Sequence, residues 1–414
     1  MSGFATSYSP PIAASQPSRA AGPARAVARP RQKVLWMAQF PYPGAGMGHP
    51  APWVAALAAA LQKQPEIELT ILDWHPGLSK PIDEFDKDGM HFIYLRAPSF
   101  RQDLLTLYTQ RVHVARQYLR RHHQAYDVLH LHGSEWQLPA VVPGLERPVV
   151  LSVQGVITEY LRYLPQTWSR LGLSWKIGEF YERRYLPTVH EFICRTAWDK
   201  ALMAKLSPGA RIHHNWEMMR PEFYEPEPEP ATEVRPQVLF TGGNQRMKGF
   251  TEVVAAYALI RQQSPLKLVM AGRVTLEEVN QEARKLGIAP FTAAEVECVG
   301  FCNAAQLAAL MRQSFCLLHP SYIDNSPNTV CEAQLLGLPV VATHVGGVPD
   351  LIEPDKTGLL SDLAPRSLAA QVLRLYHSPE LAHMLRQESR LVAAHRHDRE
   401  TIVRRTIDIY HTIS

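Results

Sequence analysis

Apolar and polar positions come in alternating blocks along most of this chain. Short apolar runs bounded by turn residues read as strands at 34–38, 68–72, 92–95, 128–131, 149–153 and 191–194. Between them, stretches such as 52–62 and 102–121 carry apolar residues at helical spacing. A second series follows, with strands at 238–241, 266–271, 296–299, 316–319 and 340–342 and helical patterns between. A parallel strand pair needs a long crossover, usually a helix, so this alternation predicts α/β architecture with parallel, doubly wound sheets. Two such series predict two Rossmann-like domains facing a cleft, with ligand sites at the strands' carboxyl ends.

Two segments break the pattern. Residues 1–32 are rich in Ala, Pro, Ser and Arg and contain no acid, which predicts a disordered tail. Residues 221–236 read PEFYEPEPEPATEVRP, and alternating Glu and Pro suits neither a helix nor a central strand. The predicted division is therefore a tail at 1–32, an N-terminal domain at 33–220, a linker at 221–236 and a C-terminal domain at 237–395. Residues 400–413 have helical periodicity, and the stretch 396–414 is expected to pack back across the junction.

Composition narrows the class. A chain of 414 residues divides into about two domains, and 46% hydrophobic with 20% charged residues is ordinary for a globular protein. A net charge of +4 disfavours a dedicated nucleic-acid binder and permits anionic small molecules. No apolar run is of bilayer-spanning length, and the N-terminus lacks an apolar signal-peptide core, so a cytoplasmic protein is expected. The five cysteines read as buried thiols; Cys298 and Cys302 have no partner at zinc-site spacing.

The most informative stretch is 317–353, LLHPSYIDNSPNTVCEAQLLGLPVVATHVGGVPDLIE. A buried strand ends in a polar loop holding Asp324. Pro327 opens a helix, with Asn325 or Ser326 as candidate cap, and Glu332 follows on that helix. A helix N-terminus attracts phosphate, and carboxylates accept hydrogen bonds from sugar hydroxyls. A nucleotide sugar offers both.

This segment resembles the carboxylate-x7-carboxylate region of retaining GT-B glycosyltransferases of family GT4, and Gly346-Gly347-Val348-Pro349-Asp350 matches the loop that follows it there. The resemblance implies that Asp324 contacts the donor sugar and Glu332 the nucleotide ribose. Asp324 stands where Glu is usual, one methylene shorter. The helix start Asn325-Ser326-Pro327-Asn328-Thr329 resembles a subgroup that makes bacterial surface polysaccharides. On the donor side, 240–250 reads FTGGNQRMKGF: Gly242 and Gly243 form a turn, Lys248 matches the family's diphosphate-binding Lys, and Gly243 stands where the family has Arg, so Arg246 is the substitute. Gly272-Arg273 ends the next strand, near the expected position of the base.

The acceptor-side domain offers FPYPGAGMGHP at 40–50, a glycine loop with Gly46 and Gly48 as cleft residues. Its GxGxG spacing weakens a dinucleotide-binding alternative. Gln154 stands where many family members have a histidine, and it cannot act as a titratable base. The resemblance implies same-face attack with the proton leaving on phosphate, so no side-chain base is required. His130 and His132 are read as pointing to opposite faces, which lets one of them, His132, reach the cleft; Arg195 ends the last strand, facing either phosphate or a structural partner. Asp86-Lys87-Asp88 has the form of a metal-diphosphate motif but lies in a polar run before a strand, and is read as a solvated loop.

The resemblance thus implies a metal-independent, retaining glycosyltransferase of hexosyltransferase type. It would move sugar from a nucleotide diphosphate sugar to a glycan or lipid-linked glycan, with no cofactor and no nucleic-acid partner. Two basic–aromatic stretches, 111–123 and 168–184, suit contact with the inner face of a membrane. An epimerase on the same fold and a non-catalytic sugar-nucleotide binder are the alternatives.

Overall fold

The computed structural model describes residues 31–43, 51–164, 169–226 and 233–414. The tail at 1–30 and the glycine loop with Gly46 and Gly48 lie outside the described residues, as does part of the 221–236 segment.

The first sheet contains β1 (Gln32–Met37), β2 (Ile67–His75), β3 (Ile82–Lys87), β4 (Met90–Arg96), β5 (Val128–His132), β6 (Val149–Ser152), β7 (Glu191–Cys194) and β8 (Arg211–His214). Their spatial order is β3-β4-β2-β1-β5-β6-β7-β8. All pairs are parallel except β3–β4. The second sheet contains β9 (Gln237–Phe240), β10 (Lys267–Ala271), β11 (Val296–Gly300), β12 (Cys316–His319), β13 (Val340–Thr343) and β14 (Leu359–Ser361), in the order β11-β10-β9-β12-β13-β14, all parallel. Strand order reverses beside β1 and beside β9. Loops leaving those strands and their neighbours β5 and β12 therefore border the crevices where open α/β sheets bind ligands. This is the bilobal GT-B arrangement.

Four expectations need correction. The run 83–88 is not a solvated loop: it is the edge strand β3, antiparallel to β4, with Phe85 stacked on Phe92 and Tyr94 at 5.5 and 5.9 Å. The helix expected at 102–121 is two helices, Phe100–Leu105 and Thr109–His122, broken where Leu107 and Tyr108 take left-handed φ values of 49° and 63°. Tyr108 accepts that strain because its ring is buried and its hydroxyl meets Ser174 Oγ at 2.7 Å. His130 and His132 do not face opposite ways. As residues i and i+2 of one strand they share a face, their rings 4.0 Å apart. Finally, neither Asn325 nor Ser326 caps the helix Asn328–Leu335, which has no side-chain cap.

The C-terminal end crosses between lobes. Pro379–Arg396 packs Ala382 and Leu385 into the second lobe's core. After a turn at His397, Arg399–Ile413 packs Ile402, Ile407 and Tyr410 into the first lobe. The Tyr410 hydroxyl accepts from Trp36 Nε1 at 2.9 Å and shares a hydrogen bond with His130 Nδ1 at 2.7 Å. His130 Nε2 in turn hydrogen-bonds Ser152 Oγ at 2.7 Å, so both ring nitrogens of this buried, neutral imidazole are partnered.

Candidate active site

The loops after β9 and β12 meet closely. Gly249 has φ +83°, and a Cβ there would stand 1.9 Å from Pro320 O, so only glycine lets the two loops touch. That approach brings Lys248 Nζ to 2.7 Å from Asp324 Oδ2. Ser321 Oγ at 3.0 Å and His319 Nε2 at 3.1 Å engage the same oxygen. Burial pushes the Asp324 carboxyl up, but Lys248 and His319 outweigh it and hold the group well below the usual carboxylate range. Asp324 is therefore an ionised carboxylate, 8% exposed.

Asp324 faces a cavity of about 350 Å³ between the lobes. Lys248, His319 and Gly242 line it from the second lobe, with Asn325, Ser326, Pro327, Asn328 and Thr329 from the loop and helix start after Asp324. Glu135, Gln154, Tyr160 and Arg195 line it from the first lobe. The uncapped start of Asn328–Leu335 thus leaves its first amides beside the cavity, where they can meet an anion. Asn325 is occupied elsewhere. It accepts from Thr196 Oγ1 at 2.7 Å and donates to Asp199 Oδ2 at 2.9 Å, both in the first lobe. Ala197 N donates to Asp350 beside it, so the second lobe docks on the N-terminus of the helix Ala197–Leu206.

Glu332 is placed differently. It is 3% exposed, does not line the cavity, and both its oxygens are held at 2.7 Å by Nε and Nη2 of Arg220. Burial raises the carboxyl's pKa, and Arg220 counters it. Arg220 lies at the chain's exit from the first lobe, its guanidinium 4.6 Å from the Phe223 ring centroid. Its separation from Glu332 in sequence hid it.

Gly243, Arg246, Gly272 and Arg273 do not line the cavity. Gly243 has φ +57°, and a Cβ there would lie 2.9 Å from Arg273 N, so an arginine does not fit this backbone. Arg246 is exposed.

On the first lobe, Gln154 Oε1 accepts from Trp53 Nε1 at 2.8 Å. Arg195 pairs with Glu217 while still lining the cavity. Burial pushes Glu217 up to about 7 despite that pairing. His132 does not line the main cavity; it sits against Trp36 at 4.2 Å, and burial holds it uncharged. Glu135, Tyr160, Trp53, Glu217 and His319 are cavity residues that sequence reasoning missed. Glu135, three residues past the end of β5, was the one a strand-end rule could have found. Among the described residues no cluster of His, Cys, Asp or Glu is gathered to hold a metal ion.

Comparisons with known proteins agree with this frame. The family described as glycosyl transferases group 1 matches residues 224–392. A D-inositol 3-phosphate glycosyltransferase of Pseudarthrobacter chlorophenolicus is 37% identical over 129 residues, covering 30% of each chain. The chain spans about a third of the length of the first curated relatives it matches. Among solved structures, sucrose-phosphate synthase of Thermosynechococcus elongatus superposes with a TM-score of 0.72 at 18% identity, covering 92% of this chain and 99% of the other. HepE of Anabaena, solved with UDP and glucose, gives 0.65 at 15% identity, covering 92% and 100%. Residues 224–392 thus match the group 1 glycosyl transferases, and the chain as a whole has the two-lobed GT-B fold.

Proposed function

We propose that this protein transfers a sugar, with retention of configuration, from a nucleotide diphosphate sugar to a glycan or lipid-linked glycan. The observation that carries this reading is the Lys248–Asp324 pair, set beside an uncapped helix start in a cavity between two lobes. The two groups suit opposite ends of one donor. Ionised Asp324 accepts hydrogen bonds from sugar hydroxyls. Lys248 and the backbone amides of Asn328 and Thr329 receive the diphosphate, whose negative charge grows as the anomeric C–O bond breaks. The acceptor oxygen forms the new bond to that carbon, and its proton leaves on the diphosphate.

Gln154, fixed by Trp53, presents its amide beside the transferred sugar, and Arg195 lies near the phosphates with most of its charge spent on Glu217. Asn325, Ser326, Asn328, Thr329 and Gly242 shape the donor side. Glu332 takes the ribose hydroxyls on lone pairs that Arg220 leaves open, so Arg220 orients it. His132, Gly243, Arg246, Gly272 and Arg273, which do not line the cavity, support the site without touching donor. A UDP donor is the first to test, since HepE was solved with UDP and glucose.

The acceptor side favours a lipid-linked substrate for one reason. Leu173 and Phe180, two turns apart on one face of the helix Arg170–Tyr185, are 48% and 63% exposed, and Leu105 on the adjoining helix Phe100–Leu105 is 84% exposed, with Arg101 and Arg184 nearby in sequence.

The test is a thermal-stabilisation screen of UDP- and GDP-sugars, followed by turnover of the best donor by wild type and Asp324→Ala. Stabilisation with acceptor-dependent release of nucleotide is expected, at least a hundredfold slower in the variant (about 10²-fold or more). Binding without turnover would mean a sugar-nucleotide binder, and product without acceptor an epimerase.

A further inference from the structure

Three acids line the cavity, and they are not equivalent. Asp324 is paired with Lys248 and Glu217 with Arg195. Glu135 has no basic partner among the described residues. Its carboxylate takes backbone amides, Gly155 N at 2.6 Å together with its own and that of Ser134, and no side chain donates to it among the described residues. A carboxylate held by backbone amides alone, with no cation and no side-chain donor, keeps acceptor capacity for a ligand hydroxyl.

Its neighbours fit a sugar. Tyr160, also on the cavity wall, has no partner for its hydroxyl among the described residues. A Cβ at Gly155 would stand 2.8 Å from Glu135 Oε1 and 2.9 Å from Tyr160 Oη, so both polar atoms converge over that glycine. Burial first, and then the charges of Asp324 and Glu135, push the Tyr160 hydroxyl up. Trp136, the next residue after Glu135, is 41% exposed, and Tyr163 meets Tyr322 of the other lobe edge-on at 6.4 Å. A carboxylate, a phenol and exposed aromatic rings make a surface that receives a pyranose by its hydroxyls and its C–H face.

We propose that Glu135 and Tyr160 form the acceptor subsite, in which the Glu135 carboxylate holds the attacking hydroxyl of a pyranose acceptor opposite Asp324. This rests on the glycosyl-transfer reading above. In the transfer step Glu135 accepts a hydrogen bond and keeps no proton; the acceptor oxygen bonds to the anomeric carbon, the carbon–phosphate oxygen bond breaks, and the proton departs with the nucleotide diphosphate. Burial, with a contribution from Glu182, pushes Glu135 up to about 7, so its ability to accept depends on pH near neutrality.

The experiment compares wild type, Glu135→Gln and Glu135→Ala. UDP affinity is measured by calorimetry, and transfer from UDP-glucose to a set of octyl glycosides is followed by UDP release. Glu135→Gln keeps the Gly155 contact and guards against misfolding in the alanine variant. Expected are unchanged UDP affinity, unchanged donor KM, and an acceptor KM raised by about ten- to hundredfold, as for loss of a hydrogen bond to a charged group. In wild type the acceptor KM falls as pH rises through about 7, and in Glu135→Gln that dependence disappears. An unchanged acceptor KM, a pH dependence that survives the substitution, or weakened UDP binding overturns the proposal. So does a wild type that binds UDP yet is stimulated by none of the glycosides. If wild type binds neither UDP nor GDP, the transfer reading itself has failed.

Discussion

One guanidinium holds both oxygens of Glu332: Arg220 Nε and Nη2 each approach within 2.7 Å. The pair joins the last residue before the Pro221–Phe223 turn to the helix that follows the Asp324 loop. It ties the crossover between lobes to the donor side.

Breaking that pair by one side is expected to cost about 3–5 kcal/mol, because it strands a buried charge. Arg220→Met alone and Glu332→Leu alone should each lower the urea midpoint. The double variant should be more stable than the sum of the two losses, since no charge is left behind. Simple additivity would show that the two groups do not act as a unit.

Lys248→Ala is expected to lower kcat by about 10²–10³, the usual loss for a group that meets developing charge. Lys248→Arg should restore little, because a forked guanidinium does not fit the single approach to Asp324 Oδ2 that the Gly249–Pro320 contact fixes. Steady-state kinetics with the best donor would check both. A variant with normal kcat and only a raised donor KM would make Lys248 a uniform binder instead.

The exposed apolar face should bind anionic lipid. The protein is expected to sediment with vesicles containing phosphatidylglycerol, less with phosphatidylcholine alone, and less at high salt. The triple variant Leu105→Glu, Leu173→Glu, Phe180→Glu should stay in the supernatant with its UDP affinity intact. If it sediments like wild type, this face is not the contact.

The sheets were largely legible because buried parallel strands are short, apolar and bounded by turns: β7 and β12 fall on their expected residues. β3 was hidden because an edge strand needs no apolar run, and IDEFDK alternates instead. β14 is three residues long, too short for a period. On the site, local spacing gave Asp324, Lys248 and the helix start, all on two loops. What it could not give were pairings across sequence distance: Arg220 with Glu332, Asn325 with Thr196, Trp53 with Gln154. Asn325 illustrates the reason. Its position predicts a cap, but the first lobe offers it a hydroxyl and a carboxylate, and tertiary hydrogen bonds outbid the local one.

Stability should respond to acid in two stages. Burial lowers His130 and His397 from 6.5 to about 3, and holds His132 well below its ordinary value too. These groups are neutral in the fold, so the unfolded chain binds more protons below pH 6.5, and their contribution is lost as pH falls from there towards 3. Asp73, Glu135 and Glu217 act oppositely. Burial raises each to about 7, from 3.8 for the aspartate and 4.5 for the glutamates, so the fold binds more protons in that window and stability falls as pH rises through it. The two sets offset each other between about 4.5 and 6.5. Below about 4.5 only the histidine slope remains, about 1.4 kcal/mol per pH unit for each group. Ionised Asp324, held well below its ordinary range, adds to the loss at the acid end. Urea unfolding across pH 7.5 to 3.5 should therefore show a shallow region and then a steep fall. His130→Asn should reduce the acid slope by about one histidine's share whatever it does to the midpoint at neutrality. An unchanged slope would mean that His130 is charged in the fold.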